Sequence, residues 1–392
     1  MKAVKLVRPA LTVVVLVCLC TILSFAQTRY LVTNDDNSTA NTATFYTIGS
    51  NGVLTQTAVV NTGGFGLGGG YFSSARIALI RSDQGCVYVS NAGSIPGSVS
   101  GIVESTLTLA GTFNGSPSDA GNSLGIGLTL SRTVLYAAFT ASGTIGAFQM
   151  HSDCTLTFMQ DVPAVGLFGG TVDGMKAHGK ILVVAYGDGS VSSFNISTGV
   201  PVSNNDLQQS AGSLTFGASP AGVDISRSGN WAIFGDATAS GSAYVEVADI
   251  SSGKITATKA YVVPGGSNSN NVWLSPDDTL LYISNNYSGQ VTGVFFNYFK
   301  GTLGPSCVSP TLKNFNNTWF FTGTVVTATN TPGNGAKLYV AEWGGGNASG
   351  IGIVKVATTS NSCTLTEVAN SPVSDAQSPG LLSIGVTPSR PF

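Results

Sequence analysis

The sequence predicts an all-β fold, a seven-bladed β-propeller of four-stranded antiparallel blades, with one blade closed by both chain termini. Three observations predict it. One five-residue strand pattern recurs seven times, the recurrence has the length of a propeller blade, and the two chain ends read as complementary pieces of one blade. The copies are Tyr30–Asn34, Val87–Asn91, Leu135–Phe139, Leu182–Tyr186, Trp231–Gly235, Leu281–Asn285 and Leu338–Glu342. Their last residues are separated by 57, 48, 47, 49, 50 and 57 positions. A period of about 50 residues accommodates four strands and their turns.

The surroundings of each copy repeat as well. An apolar strand and a polar turn precede it, as in Val272–Thr279 and Val223–Gly229. A Gly- or Ser-rich loop and an alternating strand follow, as in Gln290–Phe296 and Ser190–Asn195, and a tight turn leads into a fourth strand, as in Cys154–Phe158 and Cys363–Glu367. These are period-2 segments bounded by turn formers, the mark of antiparallel strands rather than helices. Runs such as Ile181–Ala185 are apolar throughout and suit strands buried on both faces between neighbouring blades. With 50 Gly and only 9% charged residues, the composition fits short apolar strands joined by many turns. The first copy begins at Tyr30, with no strand before it, whereas Gly380–Ser389 resembles the first strand and turn of the other blades. Joining the two ends in one blade protects the edge strands. Residues 27–392 therefore form one domain.

Residues 1–26 read as a signal peptide. Lys2, Lys5 and Arg8 precede an apolar run from Leu11 to Leu23, and Ser24-Phe25-Ala26 supplies a small-residue cleavage pattern. The run is short for a membrane span, so cleavage after Ala26 is favoured over a retained anchor. The expected destination is secretion, the periplasm or the cell surface. Removal of these residues leaves 14 basic and 19 acidic residues and no Lys/Arg cluster. That balance argues against a nucleic-acid or anionic-membrane partner, the lack of a further apolar run of about 18 residues argues against membrane insertion after cleavage, and the mature chain reads as a monomer. Cys86, Cys154, Cys307 and Cys363 remain, an even number without a CxxC pair, which favours disulfides over a zinc site. The blade map suggests Cys307 with Cys363 and Cys86 with Cys154. It places all four towards the face opposite the channel mouth, with Cys307 near a turn between third and fourth strands.

The segments Val87–Asn91, Leu281–Asn285 and Tyr30–Asn34, with Ser275-Pro276-Asp277-Asp278 before one of them, resemble the YVTN-repeat and lactonase-like seven-bladed propellers, which include 6-phosphogluconolactonase-like proteins. The resemblance spans residues 27–392. The middle copies Leu135–Phe139 and Trp231–Gly235 lack the Ser/Thr-Asn ending, and Asp173-Gly174-Met175 is similar to a short piece of gluconolactonase-type propellers. These motifs specify strands and turns, so they speak for the fold and not for chemistry. No catalytic His, Arg or Glu set of the lactonases can be placed on this chain.

Candidate ligand residues lie in the loops after second strands, at the mouth of the central channel. They are Asp35, Asp36, Asn91, Asp188, Asp236, Asn285, Asn286, Tyr287, Glu342 and Trp343. The cluster is acidic and amide-rich, suited to a divalent metal, a sugar or a cationic partner, and Glu342 beside Trp343 looks most ligand-like. His151 and His178 sit beside turns, Asp277-Asp278 reads as a turn, and the runs Gly63–Gly70 and Gly344–Gly346 read as connections rather than phosphate loops. The leading expectation is a binding module for an extracellular or envelope protein or a carbohydrate, without catalysis and without a required cofactor. The alternative is a lactonase-like hydrolase of a cyclic ester, using mouth carboxylates and a divalent metal.

Overall fold

A computed structural model describes residues 29–68, 77–81, 85–116, 123–128, 133–237, 242–313, 320–327, 336–344, 348–381 and 383–387. Residues 1–26, expected from the sequence to act as a signal peptide, lie outside the described residues. Among the described residues no helix is long and apolar enough to cross a membrane.

The strands form seven antiparallel sheets, here blades I to VII. Blade I consists of Ile384–Val386, Tyr30–Asn34, Thr42–Ile48 and Leu54–Asn61, from the channel outwards. Its innermost strand comes from the C-terminal end of the chain, with Leu31, Val32 and Thr33 opposite Val386, Gly385 and Ile384. The predicted closure by both termini is thus present. Blades II to VII begin at Ile77, Ser123, Val172, Ser219, Ser269 and Phe320, each with its innermost strand first. Every innermost strand contacts the innermost strand of the next blade, including the last with the first, so the ring is closed.

Seven apolar clusters hold the ring, one at each seam between blades. Second strands such as Val134–Phe139 and Ile181–Tyr186 are buried at every residue because each presents one face to either neighbouring blade. This sandwiching explains why the recurrent segment reads as continuously apolar. Its tyrosine has a second task. Tyr136 donates its hydroxyl to the Gly199 carbonyl at 2.7 Å and Tyr339 to the Gly52 carbonyl at 2.9 Å, in each case the third-to-fourth-strand turn of the following blade. Gly52 and Gly199 adopt φ of 77° and 89° there, a backbone that other residues rarely take. Replacing Tyr339 by Phe should lower stability by about 1 kcal/mol, the net worth of one hydrogen bond. Chemical denaturation of the variant would show it as a lower midpoint with an unchanged slope.

Two disulfides, Cys86–Cys154 and Cys307–Cys363, cross the seams between blades II and III and between VI and VII. The pairing is the one that the blade map suggests. One position differs: Cys307 lies inside the strand Thr302–Val308, opposite Gly293, rather than near the turn before it. The register of that strand is set by the aromatic turn at 297–302, whose length the alternation alone leaves undefined.

Towards the face opposite the mouth, the channel is crossed by side chains. Lys176 of blade IV meets Asp224 of blade V at 3.3 Å and lies 5.4 Å from the ring centre of Trp273 in blade VI. Asp224 also accepts the Leu274 amide at 2.8 Å. Trp273 in turn packs against the clusters of blades VI/VII and VII/I. A largely buried ion pair and an indole therefore lie together on the innermost strands and tie blades IV and VI, which share no seam.

Candidate functional site

The mouth face is made by the loops joining second to third strands and those joining one blade to the next. These two sets touch: Phe65 N–H donates to Ser94 Oγ at 3.0 Å, and Leu167 N–H to Ser190 Oγ at 3.2 Å. Most predicted ligand residues sit at their junction, yet side chains and glycines cover them. A Cβ on Gly64 would stand 2.4 Å from Asn91 Cγ, and one on Gly266 2.2 Å from Asn285 Cγ. Gly166 and Gly170 cover Asp188, and Gly212 covers Asp236, in the same manner. The Asn or Asp that ends a second strand is clamped under the glycine of the incoming connection. Asn91 shows the completed clamp, accepting from Asn41 and Thr62 and donating to Ser98 and Ser100. Asn285 donates to Thr292 at 2.8 Å, while Asp36, buried, accepts the Leu67 amide at 2.9 Å.

The carboxylates differ in electrostatic state. Burial alone would raise Asp188, but the Ser190 hydroxyl and the amides of Phe168, Gly170 and Ser190 hold it below the usual carboxylate range. Asp35 has no solvent exposure; burial first, then the charge of Asp375, pushes it up to about 7 against the hydroxyls of Thr33, Thr42 and Thr44. Asp236 is raised well above its ordinary value by burial and by Glu246, and neither of its oxygens has a hydrogen-bond partner. Glu246 itself accepts the amides of Ala211 and Gly212 at the start of the helix Ala211–Phe216. Glu342 is likewise raised by burial and then by Glu367.

Glu342 and Trp343, adjacent in sequence, point to opposite faces of their strand. Glu342 lies over Gly352 with no exposure, and Trp343 is half-buried. Among the described residues no three of His, Cys, Asp and Glu stand together as a metal-binding group. Asp173, which carries the gluconolactonase-like tripeptide, is the bulged residue of blade IV's innermost strand and is pushed up to about 6 by burial. His151 is exposed in a turn on the opposite face, with Nε2 at 2.8 Å from Thr157 Oγ1, and His178 ends an innermost strand on that same side.

The mouth face leaves several large apolar side chains exposed, alongside uncharged polar ones such as Ser38, Thr39 and Thr215. Phe65, Ile95, Val165, Leu167, Phe168, Leu214 and Tyr287 all project from its loops, with Phe168 at 70% and Leu214 at 67% exposure. Cations are nearly absent: among the described residues of these loops only Lys313 occurs, at the outer edge, reaching the Val368 carbonyl at 3.5 Å. Charges such as Asp153, Lys180, Arg227, Lys254, Lys300 and Lys337 belong to the turns of the opposite face. Sequence reasoning missed this polarity. Its signal was available in the loops Gly63–Gly68 and Pro163–Thr171, where aromatic and aliphatic residues stand among glycines without charge.

No protein-family model and no curated protein matches the chain. Solved structures do. A Bacteroides fragilis protein assigned provisionally as a 6-phosphogluconolactonase superimposes with a TM-score of 0.67 at 15% identity, over 93% of this chain and 99% of that one. A Bacteroides uniformis protein of the same provisional assignment gives 0.66 at 13% identity, over 92% and 99%. This chain shares the seven-bladed propeller fold of these two structures. The periplasmic gluconolactonase of Pseudomonas aeruginosa shares it more distantly, with a TM-score of 0.54 at 16% identity, over 72% of this chain and 82% of that one. At these identities the likeness concerns architecture, and chemistry has to be argued from the side chains of this propeller.

Proposed function

We propose that this propeller is an exported binding module that docks its channel-mouth face on an apolar surface of an extracellular or envelope protein. One observation carries the reading: the mouth face exposes seven large apolar side chains while its carboxylates are buried or saturated by local donors. Uncharged apolar patches of this kind mark interaction surfaces on soluble proteins. The two disulfides fit an oxidising compartment, extracellular or periplasmic. A photo-crosslinking residue in place of Phe168, introduced in the producing cell, should give a discrete adduct with one other protein. Leu214→Asp should abolish that adduct without changing the thermal midpoint, since the residue is mostly exposed. Absence of any adduct, or an adduct of two copies of this chain, would overturn the reading.

A lactonase-like hydrolase is the second reading, favoured by Asp173. A carboxyl pushed up to about 6 on an innermost strand has the acidity of a general base near neutral pH. Hydrolysis of a lactone by the purified mature protein, with or without added divalent metal, and its loss in Asp173→Asn would establish the hydrolase. Inertness to a panel of γ- and δ-lactones would remove it.

A further inference from the structure

The seam between blades VI and VII lacks a tie that two other seams have. At the seams III/IV and VII/I a tyrosine hydroxyl bonds to the next blade's turn, whereas the matching Tyr282 of blade VI makes no bond of this kind. A groove of about 660 Å³ opens there, between the Asn297–Thr302 turn of blade VI and residues Thr358–Ser360 of blade VII. The Cys307–Cys363 bond ties the outer strands of the same two blades, so one covalent link fixes both walls.

We infer that this groove binds a neutral saccharide chain, at a site separate from the mouth face. Its floor and rim are aromatic. Phe299 is 80% exposed and its ring lies 4.2 Å from that of Tyr298, with Phe295 lining the same groove. The rings are held in place from below: Trp231 Nε1 donates to the Tyr298 carbonyl at 2.8 Å, and the Phe299 amide donates to Asn297 Oδ1 at 3.1 Å. An exposed phenyl ring on an anchored turn offers a flat apolar face suited to the C–H face of a pyranose. The polar lining is rich in hydroxyls, some of them also paired within their own turns, Thr279 with Asp277 at 2.7 Å and Thr359 with Ser362 at 2.7 Å. It consists of hydroxyls, including Thr279, Thr302 and Thr359, one amide and the carboxylate of Asp277, with no Lys, Arg or His. An anionic ligand would find no countercharge there, while a polyhydroxylated neutral one finds both donors and acceptors. The volume falls within the roughly 300–1,000 Å³ of small-molecule sites.

Native affinity electrophoresis in gels containing hydroxyethylcellulose, laminarin, xylan or galactomannan tests the inference. At least one polymer should retard the mature protein, and calorimetry with an oligosaccharide of that polymer should give an affinity at least ten-fold weaker for Phe299→Ala. Asp277→Asn should weaken it to a smaller degree, and Leu214→Asp on the mouth face should leave it unchanged. The thermal midpoint of Phe299→Ala should match that of the parent, because the ring is exposed. Migration unaffected by all four polymers, or retardation that survives Phe299→Ala, would overturn the inference.

Discussion

Thermal stability should fall by roughly 5–10 °C as pH rises from 5 to 8, a window in which many domains change little. The cause is the set of buried carboxyls. Asp35 titrates near 3.8 when unfolded and is pushed up to about 7 in the fold, by burial and then by Asp375. Asp236 and Glu342 are raised by burial and by Glu246 and Glu367 respectively, and Asp375 is raised chiefly by burial. Between about pH 4 and 7 the folded state therefore holds more protons than the unfolded one, and stability must decrease as pH increases. The contribution is complete below the unfolded pKa and is lost as pH passes through the folded value. One pKa unit corresponds to about 1.4 kcal/mol, so Asp35 alone accounts for on the order of a few kcal/mol. Asp188, held below its ordinary value, acts in the opposite direction but only at lower pH. Calorimetric scans across this range should show the downward slope, and Asp35→Asn should flatten it. A midpoint that is constant or rises from pH 5 to 8 would refute this assignment of protonated acids.

These acids also mark where the sequence was legible and where it was not. The recurrent strand is readable because its burial is two-sided: Val87, Tyr88 and Val89 are all fully buried, so no polar residue interrupts the run. Closure is readable because a blade lacking its innermost strand at one end of the chain has a spare one at the other. The residue that ends each second strand was harder. Asp236, Asn285 and Glu342 look like solvent-facing polar groups in a loop, and sequence alone places them at the mouth. What hides Asp236 and Asn285 is a glycine contributed by a connection some 20 residues earlier, Gly212 and Gly266 respectively, whereas Glu342 lies over Gly352 of the following strand. The long Gly-rich connections read as flexible, whereas their glycines permit close approach to the clamped side chain. Functional polarity was missed for a related reason. Phe168 and Leu214 occur in loops where scattered apolar residues carry no periodic signal, and only the fold shows that they share one face.

Deletion of residues 380–392 should abolish cooperative folding, the largest effect expected of any truncation in this chain. The segment supplies Ile384–Val386, the innermost strand of blade I, and with Leu381 it completes the VII/I cluster around Tyr46 and Tyr339. Leu381, Ile384 and Val386 are each less than 5% exposed. At about 1.5–3 kcal/mol for each buried side chain, their loss amounts to on the order of 5–9 kcal/mol, comparable with the whole net stability of an ordinary domain of roughly 5–15 kcal/mol. The damage extends beyond the lost contacts. The strand Tyr30–Asn34 becomes an uncovered edge, and the ring contact from blade VII to blade II through the innermost strands is interrupted. A milder variant separates these effects. Ile384→Ala keeps the backbone pairing and removes only packing, so it should fold and lose about 2–4 kcal/mol. Circular dichroism melts distinguish the cases: no cooperative transition for the truncation, and a sharp but lowered one for Ile384→Ala. A truncated chain that melts as sharply as the parent would mean that the ring is held by its seams alone, without the strand that joins its two ends.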